Sequence, residues 1–196
     1  MRDPIDLSKA GVGDFVRGRS TLLEIAWLLA QSLIVDNRLN VFSFVRVGVL
    51  RLFGAQIGRN CLLRQPIQMK FPWKLEIGDN CWIGDGVVFS NHVAIRIGSN
   101  VCISQGCFLT SGSHDYAATM DLKTAEISIE DGVWLSSRCI VQMGVRIGRN
   151  AVVTPNSVVH KSLDAEGIYG GNPCKWIKPR WSSVNGAAEA ADPSSN

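Results

Sequence analysis

The sequence predicts an all-β chain, a single-stranded parallel β-helix with N-terminal helices and a C-terminal extension. Three observations predict it. First, every sixth residue from 129 to 159 is apolar: Ile129, Leu135, Val141, Ile147, Val153 and Val159. A period of six is neither the helical 3.6 nor the strand alternation of two; it marks a coil whose short sides repeat, with each apolar residue stacked on its equivalent in the next turn. Second, the position four residues later, which must also turn inward where space is tight, holds Val133, Cys139, Val145, Ala151 and Ser157, all small or β-branched. Third, an Ile-Gly-x-Asn unit recurs at Ile57, Ile77, Ile97 and Ile147, with Ile129-Glu130-Asp131-Gly132 as a looser copy. Gly and Asn suit corners because both enter left-handed backbone conformations cheaply.

Taken in order, residues 1–18 are polar and Gly-containing and read as an irregular arm. From about Ser20 to Val35 the residues are good helix formers, and Ser20 can cap the start. Residues 37–40 break this run. A second helix is expected over about residues 41–53, from apolar spacing through Phe44, Val45, Val49, Leu52 and Phe53, with Gly54 ending it. These helices form a cap over residues 1–56, because the open end of a β-helix exposes strand edges and core. The apolar run from 22 to 35 is too short to cross a membrane. It reads as a helix packed on the coil, with peripheral membrane contact as the open alternative.

The coil itself is expected over residues 57–162, in about five turns. Its first three starts lie 20 residues apart, two more than three six-residue sides require. The segment Phe71-Pro72-Trp73-Lys74 falls where the first two extra residues lie and reads as a bulging corner. The interval from Ile97 to Ile129 is 32 residues, so that coil carries 14 extra. They are expected after Leu109, as a loop within about residues 110–126. Residues 163–181 read as a Gly/Pro-marked turn and packing segment, in which Trp176, Ile177 and Trp181 fold back on the last coil. Residues 182–196 read as a disordered tail.

A chain of 196 residues, 46% hydrophobic and 19% charged, supports one domain with a real core. A net charge of +3 with scattered basic residues argues against nucleic acid. Cys61, Cys81, Cys107 and Cys139 occupy the small inward position, where a free thiol behaves as a compact apolar residue. That favours reduced cysteines and a cytoplasmic setting. No signal peptide is evident. No metal site is expected, since the three histidines are spaced 22 and 46 residues apart and offer no His-x₃₋₅-His pair.

The coil repeat, the segment Ser111-Gly112-Ser113-His114-Asp115, the Val133-Trp134 pair and the late Gly-Asn-Pro-Cys-Lys turn occur together in that order. Over roughly residues 20–180 the chain resembles the hexapeptide-repeat acyltransferases, within them the maltose/galactoside O-acetyltransferase group, and most of all the colanic-acid-biosynthesis type. The resemblance implies a left-handed winding, against the usual right-handed crossover preference. It also implies a homotrimer, acetyl-CoA as donor and a hydroxyl of a sugar or glycan as acceptor.

His114 is the leading catalytic candidate. It sits where the strict repeat breaks off, in a polar segment. A sugar hydroxyl needs a base that is partly unprotonated at neutral pH, and an ordinary imidazole, with a pKa of about 6.5, fits. In the matching family position this His takes the hydroxyl proton as the oxygen attacks the thioester, then returns a proton to the departing thiolate. From spacing alone, a loop His capping a turn fits equally well. Asp115 is the candidate to orient it. By the same resemblance, the N–H of Ser137 would face the developing oxyanion, although an ordinary coil corner explains it too. Trp134, outward on the repeat, would cover acetyl-CoA or an adjacent subunit. Lys161, Lys175 and Arg180 would form a basic cluster for CoA phosphates, with a solvated basic edge as the alternative, and the Asn172-Pro173 turn would shape the CoA groove. Asp85, Asn91 and His92, one coil earlier, would line the acceptor site. There the galactoside enzymes carry an Asn in the segment that here reads Ile83-Gly84-Asp85. Two other readings keep the fold and change the role: a non-catalytic β-helix scaffold, and a zinc carbonic-anhydrase-like trimer, which the histidine spacing disfavours.

Overall fold

The structure, a computed structural model, describes residues 4–181. The tail read as disordered, residues 182–196, lies outside the described residues.

Inward apolar residues every sixth position can all be buried only if the chain winds and successive turns stack in register. The chain does this. The first rung is β1 (Gln56–Ile57), β2 (Leu62–Leu63) and β3 (Ile67–Met69); the second is β4 (Leu75–Ile77), β5 (Trp82–Ile83) and β6 (Val87–Ser90). The third is β7 (Ile95–Ile97), β8 (Cys102–Ile103) and β9 (Phe108–Thr110). A hairpin, β10 (Gly112–His114) and β11 (Leu122–Thr124), then leaves the coil. The fourth rung is β12 (Ile127–Ile129), β13 (Trp134–Leu135) and β14 (Ile140–Val141), and the fifth is β15 (Arg146–Ile147), β16 (Val152–Val153) and β17 (Val158–Val159). Equivalent strands pair in parallel and give three faces. The first face is β1-β4-β7-β12-β15, the second carries β2-β5-β8-β13-β16, and the third is β3-β6-β9-β14-β17. Pairing is in the repeat's own register, for example Leu135 with Ile103 and Val153.

The repeat residues form one continuous core. Ile103, Leu109, Leu135, Val141, Ile147 and Val153 are fully buried, and Cys81, Cys107 and Cys139 fill the tight inward positions. All six cysteines are free thiols, and burial pushes those of Cys81 and Cys174 up to about 11. At the corner between first and second faces, Asn60, Asn80, Asn100 and Asn150 take φ between 56° and 58°, and Gly132 takes 70°. Here side chains lace the rungs together: Arg59 N–H donates to Asp79 Oδ1 at 2.7 Å, Asp79 N–H to Ser99 Oγ at 3.0 Å, and Ser99 N–H to Asp131 Oδ1 at 2.8 Å. A Cβ on Gly78 would lie 2.7 Å from the Gly98 carbonyl carbon of the next rung, so only glycine lets the corners approach so closely.

The expected cap is present as α1 (Thr21–Ala30), continued by a wider turn over Gln31–Val35, and α2 (Ser43–Leu52). Ser20 Oγ accepts from Leu23 N–H, and Gly54 follows α2 with φ of 95°. The cap buries Trp27, Val35 and Leu50 against the coil end. It also satisfies the open edge on all three faces. On the first, Arg51 donates to the Ile57 carbonyl at 2.7 Å. On the second, Arg46 donates to the Leu63 carbonyl at 2.7 Å and Ser43 Oγ accepts from Leu63 N–H at 2.9 Å. On the third, Trp27 Nε1 donates to the Met69 carbonyl at 3.2 Å and Gln31 Oε1 accepts from Met69 N–H at 2.8 Å.

Three features differ from the sequence reading. The coil has five full rungs and part of a sixth: Leu163 bridges Ile147, and β18 (Gly167–Gly170) pairs with β16. Leu163 and Tyr169 keep the spacing of six, but the gap from Val159 to Leu163 is only four, which hides the rung from periodicity. The extra residues after Leu109 form a hairpin, not an open loop. The N-terminal arm is tied down: Gly11 N–H donates to Asp121 Oδ1 at 2.6 Å, and Leu122 N–H donates to the Gly11 carbonyl at 3.1 Å. The bulging corner at residues 71–74 is a short 3₁₀ turn, Pro72–Lys74.

The cap yields a stability prediction. Arg46 is 1% exposed, has no carboxylate partner among the described residues, and burial lowers its pKa. Arg46→Met strands the Leu63 carbonyl, and chemical denaturation is expected to show a loss of about 1–3 kcal/mol, the usual cost of a buried unsatisfied group.

Candidate active site

The site begins with the interruption of the third rung. The chain leaves β9 at the corner between third and first faces, and β10 carries His114 to its end, opposite Leu122. The tip closes on itself: Asp115 N–H donates to the Asp121 carbonyl at 2.9 Å, and Met120 takes φ of 60°. That turn aims the Met120 carbonyl at His114 Nδ1, 2.8 Å away. A carbonyl only accepts, so Nδ1 carries a proton, and in the neutral ring Nε2 is the nitrogen that bears the lone pair. The imidazole is exposed.

Asp115 does not orient it. Its carboxylate pairs with Lys123 at 2.9 Å and accepts from Ala117 N–H, and the Lys123 hydrogen bond lowers its pKa. Adjacent strand residues point to opposite faces, and the fixing role falls to a backbone carbonyl six residues away.

His92 lies at the same corner, one rung earlier. Its ring sits against the hairpin, where a Cβ on Gly112 would come within 2.6 Å of Nδ1. Nε2 is 2.8 Å from Lys70 Nζ, and Nδ1 is 3.2 Å from the Ser90 carbonyl. An ammonium only donates, so Nε2 accepts and the ring is neutral. Burial first, then the Lys70 charge, pull its pKa below the usual histidine value. Phe15 of the N-terminal arm meets the ring edge-on, at 5.6 Å between centroids, and Lys74 Nζ donates to the His92 carbonyl at 2.6 Å.

Asn91 has no group free for an acceptor. It is fully buried; its Oδ1 takes the N–H groups of Lys70 and Phe71, and its Nδ2 donates to the Phe71 carbonyl at 2.6 Å. It ties this corner to Lys70 and Phe71 of the rung below. Asp85 lies elsewhere, at the corner between second and third faces, beside a cleft lined by Arg64, Trp82, Ser104 and Gln105. Sequence proximity had grouped Asp85 with His92, but a third of a turn separates them.

The residues expected to serve the donor divide in the same way. Trp134 lies outward on the second face, 46% exposed, with Nε1 donating to Ser104 Oγ at 3.0 Å. Ser137 follows at the second–third corner, where its carbonyl accepts from Asn156 N–H and, among the described residues, its own N–H has no protein acceptor. The turn at Asn172 and Pro173 closes the same corner one rung beyond Pro155, with Val158 N–H donating to the Gly171 carbonyl and Cys174 N–H to the Val158 carbonyl. Lys175 begins β19 (Lys175–Pro179), which runs back antiparallel to β18, so it stands at this corner too.

Lys161, Lys175 and Arg180 do not cluster. Lys161 is exposed after β17, at the third–first corner. Arg180, at the far end of β19, lies at the first–second corner, where it donates to the carbonyls of Gly132 at 2.8 Å and Asn150 at 2.9 Å and stacks on Trp181. Arg180 thus clasps two rungs. The antiparallel return of β19, invisible to the repeat, separates the three. Trp176, Ile177 and Trp181 do return over the last rung, but their side chains are exposed. Among the described residues no cluster of His, Cys, Asp or Glu is placed to hold a metal ion.

The sequence reading missed Met120, Lys70 and Phe15. Lys70 carried one usable signal, since it stands at the corner position equivalent to Ser90, next to His92. Met120 and Phe15 carried none, because their roles depend on a left-handed turn and on an arm without periodicity.

The chain is similar to known proteins over most of its length. The hexapeptide repeat of succinyl-transferase matches residues 74–111 and 126–161. The putative colanic acid biosynthesis acetyltransferase WcaF of Escherichia coli K12 is 37% identical over 176 residues, 89% of this chain and 97% of that protein. The galactoside O-acetyltransferase of the same strain is 24% identical over 137 residues, 68% of each chain. The solved structure of a hexapeptide-repeat acetyltransferase from Vibrio cholerae, complexed with acetyl coenzyme A, matches with a TM-score of 0.78 at 24% identity, covering 90% of this chain and 98% of that one. A maltose O-acetyltransferase from Clostridium difficile 630 matches with a TM-score of 0.75 at 24% identity, covering 83% and 90%. The structural matches speak for the coil, and the WcaF match spans nearly both chains end to end: the protein belongs to the hexapeptide-repeat acetyltransferases.

Proposed function

We propose that this protein transfers an acetyl group from acetyl-CoA to a hydroxyl of a sugar or glycan precursor, with His114 as general base. The observation that carries this reading is the Nδ1 contact to the Met120 carbonyl, which makes Nε2 the nitrogen free to take a proton in the neutral ring, on an exposed hairpin. Relatives named as colanic acid and galactoside acetyltransferases support the acceptor class, and a related structure complexed with acetyl coenzyme A supports the donor.

In this mechanism His114 Nε2 takes the hydroxyl proton as that oxygen attacks the thioester carbonyl carbon. Ser137 N–H donates to the oxygen that becomes negative. As the carbon–sulfur bond breaks, His114 returns the proton to the thiolate. Trp134, Asn172, Pro173 and Lys175 flank the same corner as Ser137 and form the donor side. His92 and Lys70 stand beside His114 on the acceptor side.

Within one chain these two groups occupy different corners, separated by the width of the third face. Six residues at roughly 3.3 Å each put them on the order of 20 Å apart, whereas proton transfer needs contact near 3 Å. A second copy, packed side by side, would supply the missing half. The outward ladders of the second and third faces suit such packing, since they carry Trp82, Trp134, Phe108 and Ile140, all exposed apolar side chains. The reading is therefore of a homotrimer with sites between subunits.

Three outcomes test this. His114→Ala is expected to lower acetyl transfer by about 10²–10⁴ with an unchanged melting temperature; retained turnover removes His114 from the mechanism. Ser137→Pro deletes the proposed oxyanion donor, and the backbone accepts the change because Pro155 fills the equivalent corner of the next rung. A fall in kcat of about 10²–10³ is expected, with KM little moved. Saturating acetyl-CoA is expected to raise the melting temperature by linkage, and the absence of any shift would favour a non-catalytic scaffold.

A further inference from the structure

We propose that the helical cap docks end-on to an anionic lipid bilayer. The inner side of α1 and the turn after it covers the coil end through Trp27 and Val35. The outer side is apolar as well: Leu22, Leu29 and Leu33 follow helical spacing and are 80%, 60% and 67% exposed. A helix that is apolar all round needs a second apolar partner. The stripe continues into the turn before α2, where Leu39 is 88% exposed and the Phe42 and Phe44 rings touch at 5.6 Å between centroids.

Two further observations fit a lipid surface to that role. The polar backbone of the turn is closed by its own side chains. Asn37 Nδ2 donates to the Leu33 carbonyl and Asn40 Nδ2 to the Ile34 carbonyl, both at 3.0 Å. Asn37 Oδ1 accepts from Leu39 N–H, Asn40 Oδ1 accepts from Phe42 N–H, and Arg46 donates to the Asn40 carbonyl. Closed in this way, the turn can meet hydrocarbon without leaving those groups unpaired. The charges are sorted too. Both acids of the segment are engaged, Glu24 with Arg17 at 2.8 Å and Asp36 with Gln68 at 3.1 Å. Arg19 and Arg38 are exposed and have no carboxylate partner among the described residues. An apolar stripe edged by free guanidinium groups is complementary to an anionic headgroup layer over acyl chains.

Scale and position agree. No helix among the described residues is long and apolar enough to cross a membrane, so the contact is interfacial. The cap seals the first rung, at the end of the coil, so docking there leaves the outward faces free, and the His114 hairpin departs two rungs further on.

The test is vesicle flotation of the full chain, and it needs no acetyltransferase activity. Vesicles of phosphatidylcholine with phosphatidylglycerol are compared with phosphatidylcholine alone. The wild type is expected to float with the anionic vesicles and to lose binding as salt rises. Leu29→Ser with Leu33→Ser, and separately Phe42→Ser with Phe44→Ser, are expected to weaken binding about tenfold or more. Arg38→Gln is expected to weaken it about fivefold on anionic vesicles only. The melting temperature and the solution mass of each variant are measured in parallel. Wild type left in the dense fraction overturns the proposal, as does flotation of the apolar variants equal to wild type. A drop in solution mass in those variants also overturns it, because a second copy would then be what covers the stripe.

Discussion

Every inward side chain of the coil lies over its equivalent one rung away, and the chain holds that register for over a hundred residues. The register depends on two matched requirements. A branched apolar residue must fall every six positions, and a small one must follow it at the tight inward site. Parallel hydrogen bonds between the rungs of each face repeat the same offset, so a slip of one residue would turn the whole ladder outward. A coil of this kind satisfies every edge except its two ends. At one end Arg51, Arg46, Ser43, Gln31 and Trp27 take up the edge groups of all three faces. At the other, β19 folds back and Arg180 pins two corner carbonyls.

The repeat made the middle of the molecule legible. Ile129 to Val159 announced their own burial and pairing, and the corner residues Asn60, Asn80 and Asn100 took the left-handed backbone that their type allows. What remained hidden lies where periodicity ends. The sixth rung was concealed by one short interval. The hairpin was visible only as surplus length, because β10 and β11 satisfy each other and carry no core residues. The arm over residues 4–18 has no pattern of its own, yet Gly11 fastens it to the hairpin tip at Asp121 and Leu122, and Phe15 fastens it to His92.

The candidate site was legible in its residues and not in their grouping. His114 was singled out by its place in a broken repeat, and its lone-pair geometry comes from Met120, which no motif marks. Asn91 and Arg180 are functional-looking residues whose polar groups are spent inside the fold. Corner membership, and not distance along the chain, decides which side chains share a neighbourhood: Ser137 and Lys175 are 38 residues apart yet stand on one edge, while Asp85 and Asn91 do not.

The hairpin between the third and fourth rungs has a wider consequence. Strands before and after it pair as though it were absent, Ile97 with Ile129 and Leu109 with Val141. Because rungs touch only their neighbours, an excursion at a corner is a detachable fitting. Lengthening, trimming or restyling that excursion is therefore expected to reshape the rim around the histidine while the stacked rungs on either side keep their packing.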